Sequence, residues 1–372
     1  MPITGGGRNP IVAVAIIGAI GGILAATVGI VPEIMDYIPG PTDKEPKNTV
    51  NDTISYVAKF GNYGSGDNQF NEPSGIAINS QGHIYVSDKI NNRIQVYDSG
   101  RNTVKDIISY GNDQKFSQPH GISIDRNDNI YIADLGNNRI VVLDHDGKLK
   151  FEFGSFCHAV SEEHCYDPDE EGPLKKGDGQ FHSPYGIALD SKDNIYVTDV
   201  TSSYVQKFNS TGDFLAKWGG RGTSDINFLS PHGITVDNSD LVYIVDRGNN
   251  RIQVFDSNGN REKTFDNSLY DVNVFDEPNG ISFDKTSNLL YITNAGEDNF
   301  VVLTTKGEFK TKIGSRCDVA NIDKCIDGDG NGPSSKGDLQ FNDPREIAID
   351  KDKRIYVVDG FNHRIQIFTI EH

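Results

Sequence analysis

Two acidic segments of the chain have the residue types and spacing of a calcium-binding loop. Each places oxygen-bearing side chains at alternate positions before a glycine, in the patterns D-P-D-E-E-G and D-G-D-G-N-G. Ca²⁺ takes six to eight oxygen ligands, which a tightly curved backbone can supply. The candidate ligands are Asp167, Asp169, Glu171 and Asp178 in the first segment, and Asp327, Asp329, Asn331 and Asp338 in the second. The alternative is an acidic surface turn that holds no metal.

The same two segments contain all four cysteines of the chain. Cys157 and Cys165 are separated by seven residues, and so are Cys317 and Cys325. This repeated spacing predicts two local disulfides, which would form in an oxidising compartment outside the cytoplasm. On the loop-entropy account, each disulfide would stabilise the fold by about 2–3 kcal/mol.

The acidic segments interrupt a longer pattern that repeats six times. Each repeat reads F-x-x-P-x-x-I, then a polar turn, then a second run such as I-Y-V-x-D, and then a third β-rich run. The repeat prolines are Pro73, Pro119, Pro184, Pro231, Pro278 and Pro344, at spacings of 46, 65, 47, 47 and 66 residues. Short alternating runs bounded by Gly, Asn, Asp and Ser indicate strands, and this period is that of a propeller blade. The two long spacings put the acidic inserts three blades apart, on the face that carries the longer loops.

A fourth run follows most repeats, as in F-L-A-K-W-G, but the last repeat stops after its third run. The similar run Y-V-A-K-F-G at residues 56–61 precedes the first repeat. We therefore expect it to supply the missing strand of the last blade. A propeller closed in this way has no free sheet edge.

The motifs P-x-G-I-A-[IV], N-x-Y-V-x-D and N-N-R-I-Q-V-F-D resemble NHL repeats, and the resemblance extends over residues 54–370. It implies an all-β fold, a six-bladed β-propeller. Blade 3 departs from the motif, with Ser202-Ser203-Tyr204 in place of N-N-R. Some NHL domains bind RNA, but a net charge of −18 disfavours nucleic acid, whose affinity depends on Lys and Arg displacing counterions.

The residue after each repeat proline is expected near the mouth of the central channel. These residues are Ser74, His120, Tyr185, His232, Asn279 and Arg345. The P-H-G-I motifs at His120 and His232 are similar to those of the peptidyl-hydroxyglycine amidating lyase propeller, where three alternate blades place three histidines on one zinc. Arg247, in V-D-R-G-N-N-R, matches an active-site arginine of that family.

The third blade of that set instead has D-P-R-E-I, with Arg345 and Glu346, and Thr201 replaces the catalytic tyrosine of that family. A permanent cation in place of a ligand argues against a three-histidine zinc site. Two alternatives remain: an altered two-histidine site that includes Glu346, or histidines that are ordinary polar groups of the channel.

Residues 11–31 form an uncharged, apolar run long enough to cross a membrane as a helix. Arg8 precedes this run and Glu33 follows it, so residues 1–10 are expected in the cytoplasm and the bulk of the chain outside. A cleaved signal peptide is the alternative. Residues 32–53, with several prolines, are predicted to be a linker. Asn51 and Asn209 fit the N-x-[ST] glycosylation pattern.

Together these patterns favour a membrane-tethered, extracytoplasmic module that binds a protein, peptide or glycan of the cell envelope. A metal-dependent, lyase-like enzyme is the second hypothesis. A subunit of a membrane-associated assembly is the third, because small residues such as Gly18 and Ala25 in the apolar run would let helices pack closely and form an oligomer.

Overall fold

The computed structural model describes residues 53–157, 177–316 and 337–371. It contains six four-stranded antiparallel sheets. Blade 1 consists of β2 (Pro73–Ile78), β3 (Ile84–Asp88), β4 (Arg93–Tyr97) and β5 (Thr103–Ile107). The short strands β6 (Ser109–Tyr110) and β7 (Gln114–Lys115) follow it. Blade 2 consists of β8 (Pro119–Ile124), β9 (Ile130–Asp134), β10 (Arg139–Leu143) and β11 (Leu149–Phe153). Blade 3 consists of β12 (Pro184–Leu189), β13 (Ile195–Asp199), β14 (Tyr204–Phe208) and β15 (Phe214–Gly219).

The second half repeats this arrangement. Blade 4 consists of β16 (Pro231–Val236), β17 (Val242–Asp246), β18 (Arg251–Phe255) and β19 (Arg261–Asp266). Blade 5 consists of β20 (Pro278–Asp284), β21 (Leu289–Asn294), β22 (Asn299–Thr304) and β23 (Phe309–Ile313), followed by the short strands β24 (Ser315–Arg316) and β25 (Gln340–Phe341). Blade 6 consists of β26 (Pro344–Ile349), β27 (Arg354–Asp359), β28 (Arg364–Glu371) and β1 (Thr53–Phe60). In the described part of the chain, 3₁₀ turns span Leu135–Asn137, Arg247–Asn249 and Asn267–Leu269.

The predicted six-bladed β-propeller is confirmed, and each repeat proline is the first residue of the first strand of its blade. Proline suits this position because a strand terminus does not need its missing N–H donor. We call the end of the disc that carries the loops between second and third strands, and the connections between blades, the loop face. The opposite end, with the turns between first and second strands, is the turn face.

Asp side chains hold the turns of the turn face. In blade 2, Oδ1 of Asp125 accepts the backbone N–H groups of Asn127 and Asn129, both at 2.8 Å. The backbone of Asp128 in the same turn has a positive φ of 61°. Asx turns of this kind satisfy backbone donors that the short strands leave free. They therefore explain why Asp and Asn are plentiful in this sequence.

The hydrophobic core lies between neighbouring blades. The phenylalanine of each F-x-x-P motif is buried, including Phe70, Phe181, Phe228 and Phe341, none of which is exposed to solvent. Burial of such a side chain contributes about 2–3 kcal/mol. Each cluster draws its members from two adjacent sheets, as with Tyr243 of blade 4 and Leu290 of blade 5. The blades consequently stabilise one another around the ring.

The Asp at the end of the second strand and the Arg of the N-N-R motif tie blade 4 to the connection that precedes it. Arg251 donates from Nε to Asp246 at 2.6 Å and from Nη2 to the carbonyl oxygens of Ser224 and Asn227, at 2.7 and 2.9 Å. Asp246 also accepts the backbone N–H of Leu229 at 2.7 Å. These contacts fix the loop face, since they hold a strand loop and a blade connection in one network.

Strand β1 closes the ring by pairing with β28, from Thr53 opposite Glu371 to Phe60 opposite Ile365. It begins three residues before the 56–61 run that the sequence indicated. Among residues 53–157, 177–316 and 337–371, no helix is both long and apolar enough to cross a membrane. The predicted span at 11–31, the segment 1–10 and nearly all of the linker lie outside these described residues.

Candidate functional site

The six residues that follow the blade prolines meet around the propeller axis near the loop face. The sequence predicted a channel mouth here, but five of these side chains are buried: Ser74, His120, His232, Asn279 and Arg345. Tyr185 is partly exposed and lies between the two histidines. Its ring centroid is 4.4 Å from that of His120 and 4.3 Å from that of His232. The Tyr185 hydroxyl group also lies 3.2 Å from Oδ1 of Asn279.

Hydrogen bonds engage both nitrogens of His232. Nδ1 lies 2.9 Å from the carbonyl oxygen of Ser230, and Nε2 lies 3.4 Å from Nη1 of Arg247. Since a carbonyl only accepts, Nδ1 carries the proton and Nε2 faces the guanidinium group of Arg247. Burial lowers the pKa of His232 to about 3. A metal on Nε2 would therefore have to displace Arg247, which is also paired with Glu277 at 2.6 Å.

His120 is neutral for the same physical reason. Burial holds its pKa well below the usual 6.5, and the nearby charges of Lys89 and Arg345 lower it further. The ring of Tyr185 is in contact with both histidines, so the two imidazoles are separated by an aromatic side chain. Within the described part of the chain, no group of three or more His, Cys, Asp or Glu side chains is arranged to hold a metal ion.

Arg345 is a structural cation at the junction of blades 6 and 1. It donates from Nε to Asp343 at 2.8 Å and from Nη2 to Glu72 at 3.1 Å, and it lies 5.1 Å from the ring centroid of Phe361. Lys89 also pairs with Glu72, at 3.1 Å. The two carboxylates compensate the buried guanidinium charge, which explains how a cation can replace the third histidine of the resembled lyase.

Glu346 follows Arg345 and lines the central cavity instead of the loop face. Its Oε1 atom lies 3.3 Å from the backbone nitrogen of Ile347, and burial raises the pKa of its carboxyl group to about 8. No hydrogen bond joins it to His120 or His232 among the described residues. The two-histidine site with Glu346, one alternative from the sequence, stays a prediction.

Two calcium candidates can be placed, and both are ion-paired. Asp178 pairs with Lys217 of β15, and Oδ1 of Asp338 lies 2.6 Å from Nζ of Lys59 in β1. The two pairs occupy equivalent positions in blades 3 and 6. Either carboxylate could reach a Ca²⁺ ion only by sharing its oxygens with a lysine. The remaining candidates lie outside the described residues: Asp167, Asp169, Glu171, Asp327, Asp329 and Asn331.

Only some of the residues predicted to form disulfides or to carry glycans lie in the described part of the chain. Cys157 is buried where the first insert leaves blade 2, whereas Cys165, Cys317 and Cys325 lie outside the described residues. Asn51 lies outside them too. Asn209 lies in the turn between β14 and β15, and its Nδ2 atom donates to Asp213 at 2.7 Å. A glycan on this nitrogen would take one of its two N–H positions and leave one donor for that hydrogen bond.

The sequence did not indicate three exposed apolar side chains in the loops that meet on the loop face at the junction of blades 6 and 1. Tyr63, Ile90 and Phe361 are 67%, 42% and 49% exposed. Tyr63 packs edge-on against His363 at 4.9 Å, and Nδ1 of His363 accepts the backbone N–H of Glu72 at 3.1 Å. We call Tyr63, Ile90 and Phe361 the junction patch. Each lies in a different loop, so no local sequence pattern could have grouped them.

The chain resembles known proteins in sequence over short stretches and in fold over most of its length. The family described as NHL repeat matches residues 70–97, 116–143, 228–255 and 341–368. A 43-residue stretch is 56% identical to B-box type zinc finger protein ncl-1 from Caenorhabditis elegans, which is 12% of this chain and 5% of that protein. The chain thus spans only a small part of that relative.

Solved structures share the fold at low sequence identity. Virginiamycin B lyase from Staphylococcus aureus is 16% identical, with a TM-score of 0.51, over 86% of this chain and 99% of that one. A gluconolactonase from Xanthomonas campestris is 13% identical, with a TM-score of 0.57, over 82% of this chain and 88% of that one. Identities this low show the fold alone. Four of the six sheets thus contain NHL repeats, and the chain folds as a six-bladed β-propeller.

Proposed function

We propose that this chain is a protein-binding module that engages its partner through the loop face, held outside the cytoplasm by the apolar segment at residues 11–31. The observation that carries the proposal is the junction patch. NHL propellers generally mediate protein interactions, which supports a protein or peptide partner over a glycan. Exposed aromatic side chains beside compensated charges are typical of the centre of a protein interface.

The neighbours of the patch give it a fixed shape. His363 holds Tyr63 and binds the backbone of Glu72, while Arg345 lies under Phe361. A partner would therefore meet apolar side chains whose supports are already ordered. Less conformational entropy is lost on binding when a surface is ordered beforehand. We expect apolar side chains of the partner to dock on the patch.

Site-specific photo-crosslinking in the full chain tests the loop face. A photoreactive residue at Tyr63 or Phe361 should capture the same partner in cells. A photoreactive residue at Val104 or Leu215, exposed apolar positions on outer strands, should not. Capture from the outer strands with equal yield would overturn the proposal.

Affinity for the captured partner then gives a quantitative measure. Replacing all three residues of the patch with serine should weaken binding by a factor of at least 100. The matched control replaces Val57, Val104 and Leu215 with serine and removes three similarly exposed apolar side chains from the outer strands. Equal effects of the two variants would show that the patch has no special role.

The membrane tether is tested separately. The full chain should resist extraction from membranes by alkaline carbonate, and protease added to intact cells should remove a tag at its C-terminus. A protected tag would place the propeller on the other side of the membrane, and release by carbonate would remove the tether from the proposal.

A further inference from the structure

A cavity of about 600 Å³ lies along the propeller axis, away from the junction patch. One isoleucine from each blade forms its wall: Ile76, Ile122, Ile187, Ile234, Ile281 and Ile347. Turn-face residues such as Asp125, Asp190 and Asp237 line it as well, so the cavity opens on that face. Its volume is within the range of small-molecule sites.

The inner strands that surround this cavity share a glycine position, with one exception. Five blades have glycine two residues after the proline: Gly75, Gly121, Gly186, Gly233 and Gly280. A Cβ atom at these positions would approach a carbonyl oxygen of the next blade to between 2.1 and 2.7 Å. Side chains are therefore excluded from these five positions. Blade 6 has Glu346 at the sixth, so a single carboxyl group lines the axial cavity there.

The carboxyl group of Glu346 has no cationic partner among the described residues. Backbone N–H groups of Ile347 and Ile281 are its hydrogen-bond donors, and the neighbouring Arg345 is committed to Asp343 and Glu72. The side chain is partly exposed, at the wall of the cavity, and nothing in the packing of the blade requires it, since glycine fills this position in the other five. A carboxyl group without a counter-charge at the wall of this cavity indicates a role in binding a cation.

We propose that the axial cavity binds a small primary alkylammonium ion, with Glu346 as its counter-ion and the six isoleucines around its aliphatic chain. An ammonium group needs one carboxylate and a few carbonyl acceptors, whereas a Ca²⁺ ion needs six to eight oxygens, which the six isoleucine side chains around Glu346 do not supply. The acidic turn face and the net charge of −18 favour the entry of a cation. This site is independent of the junction patch.

Calorimetric titration of the full chain with n-butylamine at pH 7 tests the site, with n-butanol and butyrate as probes of similar size. Butylamine should bind saturably, and the two other probes should not. Because the pKa of Glu346 is raised to about 8, most of its carboxyl groups are protonated at pH 7 and must ionise to pair with ammonium, so binding should release protons. Titrations in two buffers with different ionisation enthalpies measure that release.

Two substitutions decide the role of Glu346. Glu346→Gln keeps the size of the side chain and should weaken butylamine binding at least tenfold and abolish the proton release. Glu262→Gln, at an exposed position on β19, should leave both unchanged. The junction-patch variant should also bind butylamine normally, which separates this site from the proposed function. Equal binding of butylamine to the wild type and to Glu346→Gln, or equal binding of butanol, would overturn the proposal.

Discussion

Replacing Arg251 with leucine should destabilise the propeller strongly, because this arginine compensates a fully buried carboxylate. The side chain of Asp246 has no solvent exposure and that of Arg251 has 10%, and their ion pair is 2.6 Å long. After the substitution, Asp246 would keep hydrogen bonds from Leu229, Asn249 and Gln253 but would lose its counter-charge. Breaking a buried pair by removing one partner costs about 3–5 kcal/mol.

Arg261→Leu is the matched control, because it removes the same charge from an exposed pair. The distance from Arg261 to Asp225 is 3.5 Å, and the two side chains are 32% and 73% exposed. Such a pair contributes at most about 1 kcal/mol. Guanidinium denaturation followed by tryptophan fluorescence would measure both variants. The ring centroids of the single tryptophan, Trp218, and of Phe255 in blade 4 are 6.0 Å apart. The fluorescence of Trp218 therefore reports on the same region.

The reasoning would be refuted if Arg251→Leu shifted the free energy of unfolding no further than Arg261→Leu. A second variant tests the direction of the effect. Adding Asp246→Asn to Arg251→Leu removes the uncompensated charge and should restore part of the stability. Blade 3 shows that an alternative exists: Tyr204 stands in the arginine position, and Asp199 accepts backbone N–H groups instead. A further loss of stability in the double variant would contradict the electrostatic explanation.

Three further predictions concern titration and metal binding. Burial lowers the pKa of His363, so the folded state favours the neutral imidazole. The contribution of this side chain to stability should therefore be lost as the pH falls below about 6.5. His363→Asn introduces the asparagine that blades 1 and 4 have at this position. The melting temperature of this variant should depend less on pH between pH 5 and 7 than that of the wild type. The pKa of Glu346 is raised to about 8, so the protonated form is favoured in the folded state and stability declines between about pH 4.5 and pH 8. Glu346→Gln should therefore be more stable than the wild type at pH 8, by on the order of 2–4 kcal/mol in denaturation, and equal to it near pH 4.5. Millimolar Ca²⁺ should raise the melting temperature of the wild type but not that of a chain with Asp167→Asn and Asp327→Asn, and no heat of Ca²⁺ binding to the wild type would contradict this.

The fold was predictable from the sequence because each blade must solve the same packing problem with the same residues. The phenylalanine and proline of F-x-x-P recur because one fills the core between blades and the other begins the inner strand. The strand from the N-terminal side was predictable too, since its motif repeats that of other fourth strands. These signals are local, and repetition makes them unambiguous.

The site was less predictable, because its contacts join residues from different blades. The stack of His120, Tyr185 and His232 depends on the radius of the ring, which no single repeat specifies. Arg345 was expected near the mouth of the central channel. Its ion pair with Glu72 could not be predicted, because the two residues are 273 positions apart in the chain. The sequence shows that Glu346 stands where the other five blades have glycine. It does not show that carbonyl oxygens of the neighbouring blades leave no room for side chains at those five positions.

The pairing of β1 with β28 also determines the order in which the molecule can be completed. Thr53 pairs with Glu371, so the first propeller strand to be synthesised needs a partner that is made only after the other described strands. Until then blades 1 to 5 can form, but the outer edge of blade 6 and the strand at residues 53–60 both expose unpaired backbone groups. Pairing across so long a stretch of chain is intrinsically slow. Folding yield should therefore be most sensitive to changes in these two strands, where a newly made chain is open to pairing with another copy.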